Sequence, residues 1–244
     1  MDWEAMTTDA LIGRWEDQRD IKNLMGIYVN YIILNDDAKV FADLWSQERP
    51  DVSYGDNGGY YVGPEAVRGY YAAVHARNEL VAELLQKKFP QDIGDKTPDE
   101  IFGIGTFRDY PVASPVIEVA DDGNTAKGLW YCWGSHAEVT AGGPTSSWTW
   151  GYFAVDFIRE GDKWKLWHLQ VTNDVDARCG TDWGKPAEPL PELPEFAPLA
   201  DFAMPPHTIE CEVRAAYSAA RPLTGAPRMP EPYGSFADTF SYGA

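Results

Sequence analysis

The sequence predicts an α+β fold in which helices precede an antiparallel sheet. Up to Phe89, apolar residues recur mainly at the spacing of amphipathic helices. From about residue 110 to residue 175, the chain instead carries long aromatic and β-branched runs separated by turn residues, which is typical of strands joined by hairpins. There is no GxGxxG motif, P-loop or regular repeat, so nothing in the sequence indicates a nucleotide fold or a solenoid.

Three helices are predicted in the first part of the chain. The first runs from Trp15 to Leu34, where the apolar positions at helical spacing are Ile21, Leu24, Met25, Tyr28, Tyr31 and Ile32. Asn35-Asp36-Asp37 interrupts it, and Asp37 is expected to cap a second helix through AKVFADLW. Pro64 takes the first position of a third, longer helix that ends near Phe89.

The remaining segments predict strands and one insertion. The glycine turns in DVSYGDNGGYYVG predict one or two short strands, and residues 90–110 look like an inserted loop. Turns at DDGN, AGGPT and EGD divide an antiparallel meander, whose runs are VASPVIEVA, TAKGLWYCWGSHAEV, SSWTWGYFAVDFIRE and KWKLWHLQVTND.

Charge and composition restrict the partners. A formal net charge of -18, spread along the chain, disfavours nucleic acid and anionic membrane surfaces, since both attract clustered Lys and Arg. With aromatic residues at 14%, a neutral or hydrophobic aromatic small molecule fits this charge balance better than a polyanion, and the alternative that the charge serves only solubility stays open. There is no run of 18 apolar residues, and no basic region followed by an apolar stretch at the start, so a cytoplasmic protein is expected.

Beyond Trp183 the composition changes, because 11 of the 18 prolines follow that residue. Proline cannot donate a backbone hydrogen bond, so this part cannot be mostly helix or central strand. It keeps aromatic and apolar residues, unlike a disordered linker. We therefore predict a domain over residues 1–180 and a Pro-rich extended arm over residues 181–244, which packs on its own core or on a neighbouring subunit.

Several segments resemble the SnoaL-like branch of the nuclear transport factor 2-like superfamily. DIKNLMGIYVNYIILNDDAKVFADLW resembles its first two helices, and YYVGPEAVRGYY resembles the Gly-x-x-x-Ile/Val entry to its third helix. EGDKWKLWH resembles the Asp-Gly-x-Trp turn before its last strand, although this sequence reads Gly161-Asp162-Lys163-Trp164. The resemblance covers about residues 14–175.

The resemblance implies a cone-shaped fold, with three helices against a curved sheet and a ligand cavity between them. It implies acid–base chemistry on hydrophobic alcohols or ketones without any cofactor. It also implies a homodimer or homotrimer, because another subunit usually covers the open face of this sheet. A subgroup that includes scytalone dehydratase and the bile-acid dehydratases uses Tyr and Asp near the end of helix one together with His, and the matching residues here are Tyr31 and Asp36. The diarylpropane lyases of lignin breakdown, which remove water and formaldehyde from aryl diols, are also similar in size and aromatic content.

The candidate catalytic residues are Tyr31, Asp36, His168, His136 and His75. Tyr31 is expected on the inward helix face, and either Asp36 or its neighbour could face the cavity while the other caps a helix. Histidine transfers protons near neutral pH, and His168 is expected to point inward with Trp164, Leu166 and Gln170. For each of these residues a purely structural role, in the core or at the surface, stays open.

Candidate substrate-binding residues are Tyr54, Tyr60, Trp133, Trp150 and Arg108. The aromatic side chains could stack on a flat ring, and Arg108 could reach an anionic oxygen. No metal is expected, because His75 and Glu79 form the one helical pair with suitable spacing and no second histidine supports it. The widely spaced Cys132, Cys179 and Cys211 suggest neither a zinc site nor a disulfide framework.

These observations favour a lyase that eliminates water, formaldehyde or both from a bulky aromatic or polycyclic alcohol. An isomerase or polyketide cyclase of the same fold would use similar residues without losing a group. A non-catalytic binding protein is the third possibility, since this kind of fold hosts all three activities.

Overall fold

The computed structural model describes residues 6–184, 188–211, 217–220 and 225–244. The long helices are α1, Thr8–Ile33, and α3, Pro64–Lys88, and the shorter ones are α2, Asp37–Leu44, α4, Pro90–Ile93, α5, Pro98–Ile101, and α6, Pro198–Asp201. Within the described part of the chain, no helix is both long enough and apolar enough to cross a membrane.

The strands form one curved, unclosed sheet. They are β1, Ser53–Gly55, β2, Gly59–Val62, β3, Phe107–Asp109, β4, Val112–Val119, β5, Thr125–Thr140, β6, Gly143–Glu160, β7, Lys163–Arg178, and β8, Ile209–Glu210. Their order is β3-β5-β6-β7-β1-β2-β8, and β4 also pairs with β5. All pairs are antiparallel except β1 with β7, so the predicted α+β class and the meander are confirmed.

The helices pack on the concave face of the sheet. The main core joins residues of α1, α2 and α3 to residues of β5, β6 and β7, with Ile21, Met25, Val40, Phe157 and Leu166 fully buried. Thr7 starts α1 by accepting a hydrogen bond from the amide of Ala10 at 3.2 Å. The cone-shaped arrangement expected from the sequence is therefore present.

Some predicted boundaries are wrong. α1 begins at Thr8 rather than Trp15, and α2 begins at Asp37 with Asp36 as its cap residue. The Asp36 side chain makes no capping hydrogen bond. The segment expected to be an inserted loop contains α4, α5 and β3. A capping box formed by Thr97 and Glu100 starts α5.

A bulge in β7 reverses the predicted orientation of His168. Phe157 pairs with Leu166, whereas its neighbour Asp156 pairs with His168. The strand β7 therefore has one extra residue at this point, between Leu166 and His168. Neighbouring residues of a strand point to opposite faces, and Leu166 and His168 therefore do so as well. His168 lies on the outer face of the sheet, and its predicted inward orientation is wrong.

The Pro-rich segment contacts the rest of the chain at several places. Phe196 is fully buried in a second apolar cluster with Val81, Leu85 and Val139. Further along, Ile209 pairs with Tyr60 at the edge of the sheet. The division into a domain of residues 1–180 and an arm of residues 181–244 stays a prediction.

Three buried ionisable side chains lie on the outer face of the sheet. Asp156 bonds Lys127 Nζ at 2.5 Å and His168 Nδ1 at 2.8 Å, and the three residues are almost completely shielded from solvent. The segment of residues 233–243 covers them, since the amide of Tyr242 donates to Asp156 at 2.8 Å. The rings of Phe236, Phe240 and Tyr242 surround Lys127 Nζ at 4.4–5.0 Å.

We expect Asp156→Leu to lower the free energy of unfolding by about 3–5 kcal/mol, because it leaves the buried ammonium of Lys127 without its counter-charge. Urea unfolding monitored by tryptophan fluorescence measures the loss. Asp20→Leu is the matched control, since Asp20 pairs with Arg19 at the solvent-exposed surface. Equal unfolding midpoints for the two variants would contradict the structural role of the buried cluster.

Candidate active site

A cavity of about 250 Å³ lies between the helices and the concave face of the sheet. Residues of α1, α3 and five strands line it, together with Asp37 at the start of α2. Its wall is unusually rich in phenols, which come from Tyr28, Tyr54, Tyr70, Tyr71 and Tyr110. Apolar residues such as Val29, Ile32 and Phe153 complete an aromatic-lined pocket.

Four of these tyrosines are joined in two hydroxyl pairs. Tyr71 donates to the hydroxyl of Tyr28 at 3.4 Å, and Tyr70 donates to the hydroxyl of Tyr54 at 3.1 Å. The rings of Tyr54 and Tyr70 also stack, with centroids 4.3 Å apart. Each pair uses one phenolic proton, so the second proton of each pair remains for a ligand or solvent.

Burial keeps the phenols and the thiol of the cavity in their neutral forms. It raises the pKa of Tyr70 to about 12 and raises the pKa values of Tyr28, Tyr54 and Tyr71 well above the ordinary value for a phenol. The pKa of the Cys132 thiol rises to about 12, mainly through burial. Near neutral pH, the wall therefore presents hydrogen-bond donors rather than phenolate or thiolate bases.

Because the pKa values of these phenols are higher in the folded chain than the value of about 10 in an unfolded chain, their contribution to stability is complete below pH about 10. We expect it to be lost as the pH rises through about 12. A spectroscopic pH titration of phenolate absorbance, run beside circular dichroism, measures both processes. Ionisation of all the tyrosines near pH 10 without loss of structure would contradict the closed phenolic cluster.

A buried ion pair forms part of the cavity wall. Arg108 on β3 donates to both carboxylate oxygens of Asp37, at 2.9 and 2.8 Å, and Asp37 is 1% exposed. Burial opposes the positive charge of Arg108, but the hydrogen bonds and charge of Asp37 outweigh it and raise the pKa of Arg108. Because arginine occupies both of its oxygens, Asp37 fixes the charge of the wall and is a poor candidate for a free base.

The turn between α1 and α2 positions this ion pair. Asn35 adopts a positive φ of 61°, which a short polar side chain tolerates, and its amide oxygen accepts from Nη2 of Arg108 at 2.6 Å. Gly103 packs closely against it, since a Cβ at that position would lie 2.8 Å from Asn35 Nδ2. The Asn-Asp-Asp sequence thus ends one helix and holds Arg108 over the cavity.

A second depression of about 260 Å³ adjoins the cavity and shares Val74, Arg108 and Tyr110 with it. His136 on β5 lines this depression, as Asn78 of α3 does. Nδ1 of His136 is buried and has no hydrogen-bond partner in the described part of the chain. Burial raises the pKa of the nearby Asp176, and the electrostatic interaction with His136 partly offsets this rise.

Thr149 offers a further polar group to the cavity. Its hydroxyl is buried and lacks a hydrogen-bond partner among the described residues. A buried hydroxyl without a partner is unfavourable by about 1–3 kcal/mol, so a ligand or water that bonds to it is expected.

Of the predicted catalytic residues, Tyr31 and Asp36 lie outside the cavity. The Tyr31 hydroxyl donates to Asp43 at the protein surface, at 2.9 Å, and Asp36 accepts from Lys39 at 3.0 Å. The predicted inward orientation of Tyr31 is wrong, because Ile32 takes the inward place in the last turn of α1. Asp37, the neighbour of Asp36, is the carboxylate that faces the cavity.

The three candidate histidines are far from equivalent. His75 stacks on Phe102, with ring centroids 4.5 Å apart, and its Nε2 lies 3.6 Å from Glu79, outside the two depressions. His168 is on the outer face of the sheet. His136 alone of these three lines a depression that adjoins the cavity.

Some of the candidate binding residues line the cavity and others lie elsewhere. Tyr54 and Arg108 line the cavity, whereas Tyr60 accepts a hydrogen bond from Gln170 near the sheet edge, at 2.9 Å. Trp133 is 43% exposed on the outer face, and Trp150 lies there against Trp183, with ring centroids 4.5 Å apart. The structure thus places only Tyr54 and Arg108 of this group at the site.

Sequence reasoning missed most of the phenolic wall. Tyr28 is one of the apolar positions at helical spacing that predict the first helix, and the sequence does not mark it, Tyr70 or Tyr71 as a site residue. Their position on helix faces with apolar spacing is a signal that could have found them. Nothing in the sequence distinguishes Thr149 or Asn78 from other strand and helix residues.

Among the described residues, no group of three or more His, Cys, Asp or Glu side chains is arranged to hold a metal ion. The ionisable groups at the cavity are the Asp37–Arg108 pair, the tyrosines and Cys132, with His136 in the adjoining depression.

Comparison with known proteins identifies a family. Residues 13–170 match the family described as the SnoaL-like domain. No curated protein matches the sequence.

Three solved structures of low sequence identity are similar to this chain. A protein of unknown function from Mycobacterium tuberculosis is 19% identical, with a TM-score of 0.45, over 70% of this chain and 78% of that one. A protein from Kribbella flavida is 14% identical, with a TM-score of 0.48, over 67% and 94%. A hexachlorocyclohexane dehydrochlorinase is 12% identical, with a TM-score of 0.48, over 72% and 97%.

Proposed function

Since this chain belongs to the SnoaL-like domain family, we propose that it is a cofactor-independent lyase that eliminates water, formaldehyde or both from a bulky aromatic or polycyclic alcohol. One observation carries the proposal: an aromatic-lined cavity holds neutral phenol donors and a buried ion pair, with a histidine in the adjoining depression. These are the groups that acid–base chemistry on an uncharged substrate requires.

Tyrosine hydroxyls supply the acid in this proposal. Tyr28 and Tyr54 each accept a hydrogen bond from a second tyrosine, which leaves their own protons directed to other acceptors. A hydrogen bond to the leaving oxygen, followed by proton transfer as the C–O bond breaks, releases water. Tyr70 and Tyr71 stabilise the phenolate that forms, because they already donate to it.

His136 supplies the base. In a simple dehydration, it removes the proton from the carbon next to the alcohol, and the electron pair forms the C=C bond while hydroxide leaves and is protonated. Where a hydroxymethyl group is present, His136 removes the hydroxyl proton instead. The C=O bond of formaldehyde then forms, the C–C bond breaks, its electrons form the new C=C bond, and water departs.

The two adjoining depressions suit a substrate with two rings. The cavity of about 250 Å³ is slightly below the usual range for ligand pockets, which begins at about 300 Å³, so it holds one substituted ring more readily than two. The neighbouring depression of about 260 Å³ can take the second ring. A lignin-derived diaryl alcohol would then place its reacting carbons beside Arg108 and Tyr110, which both depressions share.

Product analysis tests the reaction. The purified chain is incubated with a 1,2-diaryl-1,3-propanediol and, separately, with a hydroxysteroid, and the products are analysed by mass spectrometry. The proposal expects a stilbene with free formaldehyde, or a dehydrated product. Quantitative recovery of both unchanged alcohols, from a chain that binds them, would exclude the lyase and favour a binding protein.

The second candidate is an isomerase or polyketide cyclase. The free phenolic protons of the cavity favour it, because they could hold an enolate oxygen while no group leaves. Product mass separates the candidates, since isomerisation retains the mass of the substrate and elimination lowers it.

A homodimer or homotrimer is part of the proposal. The outer face of the sheet exposes Tyr131, Trp133 and Trp148, each by 37–43%, and such an apolar surface is typical of subunit interfaces. Analytical ultracentrifugation measures the assembly directly, and a monomer at micromolar concentration would remove this part of the proposal.

A further inference from the structure

Asn78 presents a buried amide group to the depression beside the cavity. It lies on the inner face of α3, is 3% exposed, and lines this depression. Its Nδ2 has no hydrogen-bond partner among the described residues. Leaving a buried amide donor unpaired is unfavourable, so such a group in a depression points to a ligand that accepts its hydrogen bond.

A second polar atom without a partner lines the same depression. Nδ1 of His136 is buried and likewise unpaired in the described part of the chain. The neighbouring charges are already satisfied, because Arg77 donates to Glu138 at 2.9 Å and to the carbonyl of Val139 at 3.0 Å. The atoms of this wall that still lack a hydrogen bond therefore belong to Asn78 and His136, and not to the charged side chains of Arg77 and Glu138.

We propose that this depression is a subsite for a neutral oxygen substituent of the substrate, such as a methoxy or phenolic oxygen, which accepts a hydrogen bond from Asn78 Nδ2. A neutral substituent fits better than an anionic one, because the two guanidinium groups that line the depression are already paired, Arg77 with Glu138 and Arg108 with Asp37. The inference rests on the proposed function, since it assigns the second ring of that substrate to this place. It narrows the substrate class to two-ring alcohols whose second ring carries an ether or hydroxyl oxygen.

A matched ligand pair tests the subsite without any turnover. Bibenzyl and 4-methoxybibenzyl differ by one oxygen substituent, which can accept a hydrogen bond but cannot donate one. Their dissociation constants for the full chain are measured by quenching of tryptophan fluorescence. The wild-type chain is expected to bind 4-methoxybibenzyl about ten-fold more tightly, which corresponds to one hydrogen bond to a buried donor.

Asn78→Asp retains the size of the side chain and replaces the donor with an acceptor, so it is expected to abolish the preference while still binding bibenzyl. Asn78→Leu is the second variant, with the same expectation. Asn30→Asp is the control, because Asn30 is exposed on α1 and its amide donates to the carbonyl of Gly26. This control is expected to retain the ten-fold preference.

A wild-type chain that does not distinguish the two ligands, or that binds neither of them, would overturn the subsite. An unchanged preference in both Asn78 variants would do the same. The test of the lyase is separate from the test of the subsite. If the chain turns over the aryl diol but shows no methoxy preference, the lyase proposal stands and the subsite proposal is refuted. If the methoxy preference depends on Asn78 but no diol is turned over, the subsite proposal stands and the lyase proposal is refuted.

Discussion

Replacing His136 with glutamine is expected to lower the turnover of the aryl diol by about 10²–10⁴-fold, the usual contribution of a general base. Glutamine retains hydrogen-bonding capacity but cannot take a proton near neutral pH. The side chain lies at the wall of a depression rather than in the apolar core, so the unfolding midpoint is expected to change little. Steady-state kinetics by product quantification, beside urea unfolding, measures both quantities.

Two other histidines are the controls for this variant. His75→Gln alters a side chain that stacks on Phe102 away from the cavity, and it is expected to leave turnover near the wild-type value. His168→Gln removes a hydrogen bond to Asp156 on the outer face, so it is expected to lower stability more than turnover. Equal turnover in the His136 variant and the wild type would refute the assignment of the base.

Removing the carboxylate of Asp37 is expected to produce the largest loss of stability at the site. Asp37→Ala leaves the guanidinium of Arg108 buried without its counter-charge, which destabilises proteins by about 3–5 kcal/mol. Turnover is expected to fall as well, since Arg108 then loses the partner that positions it beside the reacting carbons. The free energy of unfolding in urea and the rate of product formation are the two measurements.

The double variant Asp37→Leu/Arg108→Met separates charge from packing. Replacing both members of a buried ion pair with apolar residues is often neutral for stability, so most of the lost free energy is expected to return. Activity is expected to remain low, because the fixed charge at the wall is gone. If Asp37→Ala unfolds at the same urea concentration as the wild type, the ion pair does not support the site as the structure indicates.

The secondary structure was largely predictable from the spacing of the apolar residues. A spacing of three to four residues, typical of helices, occurs in the first part of this chain, and a spacing of two residues, typical of strands, follows in a separate part. The helix from Pro64 and the meander from Val112 to Arg178 follow directly from those periods. Boundaries failed where polar side chains decide, as at Thr7, where the hydroxyl of the cap residue starts α1 earlier than the apolar pattern indicated.

The site was predictable only in part. A single bulge in β7 turned His168 to the outer face, and periodic alternation contains no information about such a bulge. Asp36 and Asp37 are adjacent in the turn after α1, yet the side chain of Asp36 reaches solvent and that of Asp37 is buried. The distinction depends on Arg108, which is distant in sequence and joins Asp37 only when β3 packs beside the helices.

The aromatic residues show the same limit. Trp133 and Tyr54 are both aromatic residues of strands, and local composition does not distinguish them. The pleat of the sheet exposes Trp133 on the outer face, whereas Tyr54 lies in the cavity, stacked on Tyr70 of α3. Which aromatic side chains line the cavity therefore depends on packing between residues that are distant in sequence.

The most direct test of the central claim is a crystal structure of the His136→Gln variant soaked with a diaryl propanediol. The account predicts one ring between Tyr54 and Val171 in the phenolic cavity, the second ring beside Asn78, and the alcohol oxygens near Tyr28 and residue 136. A diol bound on the outer face of the sheet, with the cavity holding only water, would contradict the assignment of this cavity as the active site.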